Sequence, residues 1–302
     1  MTAANKKTVI IVMGPTAVGK TTAAIDLASH FGTEIISADS RQCFDELNIG
    51  VARPSYEELG TVKHHFIASH SVRSDINAVT FEQYALTKAA EIFQHHDRLI
   101  MVGGTGLYIK AFCEGLDDIP AIKPEVRKEI SWQFEKNGMK WLVEQIMIKD
   151  PEFYRVGEIQ NPQRMMRALE VIESTGQSVL HFRKGKKAER DFKIIKIGLD
   201  LPKEQLNHQI NGRVDRMIAT GLVQEVKNLQ PYSRLNALQT VGYSEIFEYL
   251  SGKISLNEAV RNIKTNTRQY AKRQMTWFKK DKDIKWFEPL QVKEMIKFIE
   301  SR

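Results

Sequence analysis

Two cysteines, Cys43 and Cys113, are the only thiols in this 302-residue chain. They lie far apart and neither sits in a Cys-x-x-Cys pair, so neither a disulfide framework nor a zinc knuckle is suggested, and free thiols in a reducing cytoplasm are expected. Long apolar runs are also missing. Lys6-Lys7 followed by Thr8–Met13 resembles the start of an export signal, but the run stops at Gly14-Pro15, well short of the roughly 20 residues of a membrane span. A buried first strand and no membrane partner are the expectation. No internal repeat is visible. His64-His65 and His95-His96 have no third ligand at a suitable spacing. Neighbours on a strand point to opposite faces, so a metal site is not expected of them. His95-His96 is expected to end a helix, whose dipole favours positive charge there.

What is present is ordinary globular composition, 42% hydrophobic and 27% charged, with length for one large domain or two smaller ones. Lys and Arg exceed Asp and Glu by 44 to 37, a net charge of +7. That balance suits a polyanionic partner, yet charge alone leaves RNA binding and plain solubility equally open.

Apolar β-rich runs at 8–13, 34–37, 98–102 and 194–199 alternate with helical patterns. This is the signature of an α/β domain with a parallel sheet, laid out as in nucleotide kinases. Strand signals then disappear, and 124–137, 140–149 and 161–175 read as helices separated by breakers. A mostly helical insertion over 120–190 is expected, dividing the core into 1–119 and 191–302. The basic segment with Arg183, Lys184, Lys186, Lys187 and Arg190 reads as the loop returning to the core. Helices follow at 203–220, 221–229, 241–250 and 255–280.

Gly14-Pro15-Thr16-Ala17-Val18-Gly19-Lys20-Thr21 fits Gly-x4-Gly-Lys-Thr in full, directly after the first strand and before a helical pattern. Glycines let the backbone curl so that successive N–H groups and the helix N-terminus face an anion. Lys20 adds positive charge and the Thr21 hydroxyl suits Mg2+. The loop binds a diphosphate or a triphosphate; which ester it holds is left open. Ser37-Ala38-Asp39-Ser40-Arg41-Gln42 follows the second strand and Gly103-Gly104-Thr105-Gly106-Leu107-Tyr108 the third, so three polar loops converge at one edge of the sheet. Asp39 suits a general base, a carboxylate behind a metal ion, or an ordinary turn.

With IISADSRQ, GGTGLYIKA, NPQRMMRALEVIESTG, RVDRMIATGLVQEV, VGYSE and TRQYAKRQMTWF, the chain resembles the bacterial tRNA dimethylallyltransferase family along nearly its whole length. Generic kinases share only the phosphate loop. The resemblance implies Mg2+-assisted transfer of a dimethylallyl group from dimethylallyl diphosphate to the exocyclic amine of the adenine 3′ to the tRNA anticodon. It implies that Thr16 to Thr21 hold the diphosphate, that Asp39 takes the amine proton, and that Arg213 neutralises the leaving group. Thr105 and Arg127 would border the tRNA-side mouth of the channel. Asp39, Ser40, Arg41 and Gln42, and Gln163, Arg164, Met165, Met166 and Arg167, would contact the anticodon stem-loop. Lys63 and Val51 with Arg53 depart from the usual Pro-His-His and Ile-Gly-Thr-Ala-Lys-Pro patterns. The bacterial form, without a carboxy-terminal zinc-finger extension, and a monomer are expected.

The chemistry agrees with this set. An allylic diphosphate ionises readily, so an enzyme has chiefly to neutralise the departing diphosphate and exclude water. The base must be flipped out of its stack to react. On the last long helix Arg261, Lys264, Arg268 and Lys272 recur at helical spacing, and with Arg273 they mark an RNA-facing stripe or simply a solvated face. Val260, Ile263, Tyr270 and Trp277 are expected on the packing face. Rival readings are an ATP-using small-molecule kinase, a nucleotide-gated RNA-binding protein, and a prenyltransferase acting on free AMP.

Overall fold

The computed structural model describes residues 7–302, so Lys6 of the opening basic pair lies outside the described residues. The chain forms two compact units, one from residues up to Glu114 together with Glu189–Arg302, the other from Gly115–Ala188.

The first unit is built on six parallel strands: β1 (Thr8–Met13), β2 (Ile35–Ser37), β3 (His64–His65), β4 (Arg98–Gly103), β5 (Lys193–Leu199) and β6 (Lys285–Phe287), in the order β3-β2-β4-β1-β5-β6. Val9, Ile10, Ile11 and Val12 are fully buried. A strand without alternation is what a parallel sheet covered on both faces by crossover helices demands. Thr8 pairs with both Arg98 and Lys193, and Met13 with both Gly103 and Gly198. The carboxyl ends of β1, β4 and β5 therefore finish level, at the edge where ligands bind in such sheets. The inner four strands, β2-β4-β1-β5, are those expected from apolar runs. The edge strands β3 and β6 are only two and three residues long, His-His and Lys-Trp-Phe, too short to carry such a signal.

The helix Lys20–Phe31 begins at Gly19, which takes a left-handed φ of 98°, and no side chain caps it. Its first N–H groups are thus left for an anion. The long helix Leu256–Phe278 is capped by the Ser255 hydroxyl, which accepts from the Glu258 N–H. It buries Ala259, Ile263, Ala271, Gln274 and Phe278, whereas Tyr270 and Trp277 stay 37% and 38% exposed. Of the expected packing residues Ile263 is buried, but Tyr270 lines two cavities at the carboxyl edge of the sheet and Trp277 lies against Gly106. The seam combines Ile263 and Phe278 with the small Ala259 and Ala271, and Gln274 bonds the sheet's loops directly.

In the second unit the helix Pro124–Lys149 is broken at Gly138, where φ is 67° and ψ −161°. Pro151–Val156, Pro162–Thr175 and Val179–Phe182 follow. Ile130, Leu142, Ile146, Phe153, Met165, Leu169 and Val179 make its core. This unit begins at Gly115 and ends at Ala188, where 120–190 was expected. Arg190 belongs to the first unit. Its guanidinium pairs with Glu82 at 2.7 Å and donates to the carbonyls of Ala111 and Phe112 at 2.9 and 2.8 Å.

Candidate active site

Three loops meet at the carboxyl edge of the sheet. The first, Gly14 to Gly19, carries left-handed residues at Ala17 and Gly19, with φ of 65° and 98°. The second follows β2: the Asp39 carboxylate accepts the N–H groups of Arg41 and Gln42 at 2.9 and 3.2 Å, which fixes its turn. The third follows β4, where Gly103 passes so close to the second loop that a Cβ would lie 2.2 Å from the Ala38 carbonyl oxygen. The Thr105 hydroxyl accepts from the Ser40 N–H at 3.1 Å, tying the second and third loops together.

These loops surround a polar cavity of about 280 Å³ whose lining includes Thr16, Lys20, Thr21, Asp39, Arg213 and Gln274. A smaller one of about 110 Å³ shares Thr16, Asp39, Arg213 and Tyr270, and is otherwise lined largely by apolar groups such as Val214, Met217 and Val241. Asp39 thus faces both a phosphate-loop compartment and an apolar one. Arg213, on the helix Lys203–Ala219, donates to the Thr16 hydroxyl at 3.2 Å. The Lys20 ammonium donates to the Pro15 carbonyl at 2.8 Å.

Lys20 is half-buried overall, with its ammonium on the enclosed side. Desolvation, then the Arg213 charge, pull its pKa down to about 7 against the opposing effect of Asp39. Arg213 is lowered too, by burial and then by Arg216. Two cations crowded into one cavity favour a multiply charged anion between them.

Gln274 and Glu225 were not singled out by sequence, although both stand inside the quoted segments TRQYAKRQMTWF and RVDRMIATGLVQEV. The Gln274 carboxamide accepts from the Thr16 N–H at 2.8 Å and donates to the Gly104 carbonyl at 3.0 Å, fastening the long helix to two of the loops. Glu225 accepts from the backbone N–H groups of Asn48, Ile49 and Gly50 and from the Tyr243 hydroxyl. In VGYSE, the buried Glu245 accepts from the Gly242 N–H and from Asn266, both at 2.7 Å. Apart from Gly242, which caps the same helix three residues before Glu245, these partners lie far off in sequence or on another element, where no repeat or spacing signals them.

Other expected contacts are redistributed. Met165 is fully buried in the core of the second unit, so its expected contact with RNA is corrected to packing. Arg127 and Arg167 share Glu170 at 3.5 and 3.3 Å, and Arg164 pairs with Glu158. Gln163 is exposed and Met166 half-buried. On the long helix, Arg268 turns inward to Asn211 and Thr265 at 2.8 and 3.0 Å, Lys264 pairs with Asp215 at 2.6 Å, and Arg261 lies 3.9 Å from Glu258. Lys272 and Arg273 are exposed, the latter over the Tyr270 ring. The expected stripe therefore narrows to Lys272 and Arg273, with Arg261 exposed at the other end of the helix. The Gln42 side chain also turns inward, to the carbonyls of Val51 and Ala52.

A parallel sheet with an uncapped helix behind a glycine loop, and a carboxylate facing two cations across it, defines an α/β protein of the phosphate-loop class. Residues 42–281 match the IPP transferase family. The chain is 47% identical to a tRNA dimethylallyltransferase of Christiangramia forsetii over 97% of each, and 45% identical to one of Cytophaga hutchinsonii over 98% of this chain and 97% of that protein. Its fold is similar to the full-length tRNA isopentenylpyrophosphate transferase of Bacillus halodurans, with a TM-score of 0.72 and 32% identity, covering 98% of this chain and 96% of that one. A eukaryotic dimethylallyltransferase acting on tRNA gives a TM-score of 0.77 at 25% identity, covering 94% of this chain and 74% of that one. The chain belongs to the IPP transferase family, among the tRNA dimethylallyltransferases.

Proposed function

We propose that this protein transfers the dimethylallyl group of dimethylallyl diphosphate to the exocyclic N6 amine of the adenine next to the 3′ side of a tRNA anticodon. The observation that carries this reading is that Asp39 lines both the phosphate-loop cavity and the adjoining apolar one. The phosphate loop and Arg213 hold the diphosphate. The allylic C–O bond breaks with its electrons going to the diphosphate, the new C–N bond forms, and the amine proton passes to the Asp39 carboxylate. Stabilising the leaving group is the same task that such a loop performs for a transferring phosphoryl group, with bond breaking moved from phosphorus to carbon.

Thr21 and Asp39 line one cavity, and this donor set fits Mg2+, which takes one or two protein oxygens together with substrate phosphates and water. Among the described residues no cluster of three or more His, Cys, Asp or Glu offers an all-protein cage. When bound, the ion supplies positive charge to the departing diphosphate. Lys272 and Arg273, with Arg41, Gln163, Arg164 and Arg167, are the proposed tRNA contacts.

The test is mass analysis of unmodified tRNA after incubation with the protein, Mg2+ and dimethylallyl diphosphate, beside a tube with ATP in its place. A dimethylallyl mass gain on one adenine is expected only with the allylic substrate. Asp39→Asn should lower the rate about 10²- to 10⁴-fold, the usual worth of a positioned general base, with tRNA affinity retained. Consumption of ATP without modification of any tRNA would make the protein a kinase instead.

A further inference from the structure

Val51 and Ala52 line both cavities, and Arg53 and Pro54 line the larger. They belong to residues 39–55, a stretch of turns with a single bridge between Phe44 and His70 and no strand or helix of its own. Ala52 even takes a left-handed φ of 47°. A non-glycine residue keeps that conformation only where its surroundings enforce it.

Backbone bonds from Ala52 to the Ile49 carbonyl and from Arg53 to the Asn48 carbonyl, at 3.0 and 3.1 Å, close the turn, and side chains hold it in place. Glu225, on the helix Leu222–Asn228, collects four donors on one carboxylate: the N–H groups of Asn48, Ile49 and Gly50 at 3.3, 2.7 and 3.0 Å, and the Tyr243 hydroxyl at 2.6 Å. Burial, then the neighbouring carboxylate, raise the Tyr243 pKa, so that hydroxyl remains a donor. Arg53 donates to the carbonyls of Phe44, Asp45 and Leu47. Gln42 donates through its carboxamide to the carbonyls of Val51 and Ala52 at 3.2 and 3.0 Å, and through its backbone to Asp39 at 3.2 Å. The wall and the carboxylate are thus fastened to the same residue.

We propose that Glu225 and Gln42 are positioning residues for the transfer reaction, holding the 48–54 wall at the substrate cavity, with Gln42 linking that wall to Asp39. This rests on the reading of the cavity as the site of the prenyl diphosphate. Neither residue touches the reacting atoms. Gln42 acts from inside the fold, its carboxamide donors being already committed to the wall, rather than as a contact to tRNA.

The experiment compares steady-state transfer by the full-length wild type with Glu225→Gln, Gln42→Met and the double variant. Leu142→Ala, a truncation in the separate core of the second unit, where no residue lines either cavity, is the control for loss of thermal stability. Each single change is expected to raise KM for dimethylallyl diphosphate about 10- to 100-fold, the scale of a small misplacement of a substrate-positioning group. KM for tRNA should stay within about twofold. Because both act on one loop, the double variant should be little worse than the more damaged single one. Should Glu225→Gln fail to fold, Tyr243→Phe removes one of the four donors and is expected to move the same KM in the same direction. The inference fails if Glu225→Gln behaves like the control, if the two effects multiply, or if Gln42→Met raises KM for tRNA instead. A wild type that transfers nothing overturns the functional reading itself, and this inference with it.

Discussion

A lysine ammonium enclosed by protein beside a guanidinium gives up its proton more easily than one in water. Lys20, with its pKa brought down from 10.5 to about 7, is in that position. A folded-state value below the unfolded one means that the folded chain binds fewer protons between those limits. Lys20 therefore costs stability below about pH 7, and the cost is relieved as the pH rises towards 10.5. A diphosphate placed against Lys20 and Arg213 reverses the balance by favouring the charged ammonium. Its binding should take up a proton, and its affinity should fall as the pH rises above about 7, by up to about tenfold per unit. Calorimetry with dimethylallyl diphosphate from about pH 7.5 to 9.5, in buffers of different ionisation enthalpy, reads both quantities. Lys20→Met should bind more weakly and show no such uptake; an affinity independent of pH in the wild type would place the anion away from Lys20.

Elements of the site differ in how far they could be read in advance. The phosphate loop is local: strand, glycine turn and helix follow one another, so eight residues announce it. Asp39 is legible for the same reason, because it follows the second apolar run at the same edge. Gln274 is not, since its partner Thr16 lies 258 positions away and one glutamine in a charged helix has no periodicity. On the long helix an aromatic residue suggests a core face, but Ala271 and Gln274 make the close approach to the phosphate loop, and Tyr270 instead lines the cavities. Gln274→Leu keeps the bulk but leaves the Thr16 N–H and the Gly104 carbonyl unpaired. At about 1–3 kcal/mol for each unmade buried bond, discounted because Thr16 is half-buried, unfolding in urea should register a loss of about 2–4 kcal/mol. A loss within about 0.5 kcal/mol, the range of an ordinary surface change, would mean that the helix is held to the loop by packing alone.

At the scale of the whole chain, the helical insertion was visible as a region without strand signals, but its limits were not. The stretches at either end have no period, and the contact that marks the return to the first unit joins Arg190 to Glu82, 108 positions away. That contact has a consequence for dissection. Since Arg190 bonds the carbonyls of Ala111 and Phe112, the chain leaves and re-enters the first unit at one place. The second unit has a hydrophobic core of its own. Replacing residues 115–188 by a short Gly/Ser linker should therefore leave a folded first unit, because closing so short a gap costs little entropy. Dimethylallyl diphosphate should bind it within about threefold of the full chain, every residue lining both cavities being retained. Affinity for tRNA should fall at least about tenfold with the loss of Gln163, Arg164 and Arg167, and its dependence on salt should become shallower by about one unit of slope for each lost phosphate contact. Filter binding across a salt series measures both. Unchanged tRNA affinity and slope would assign RNA recognition wholly to the first unit, leaving Lys272, Arg273 and the loop after β2 to carry it.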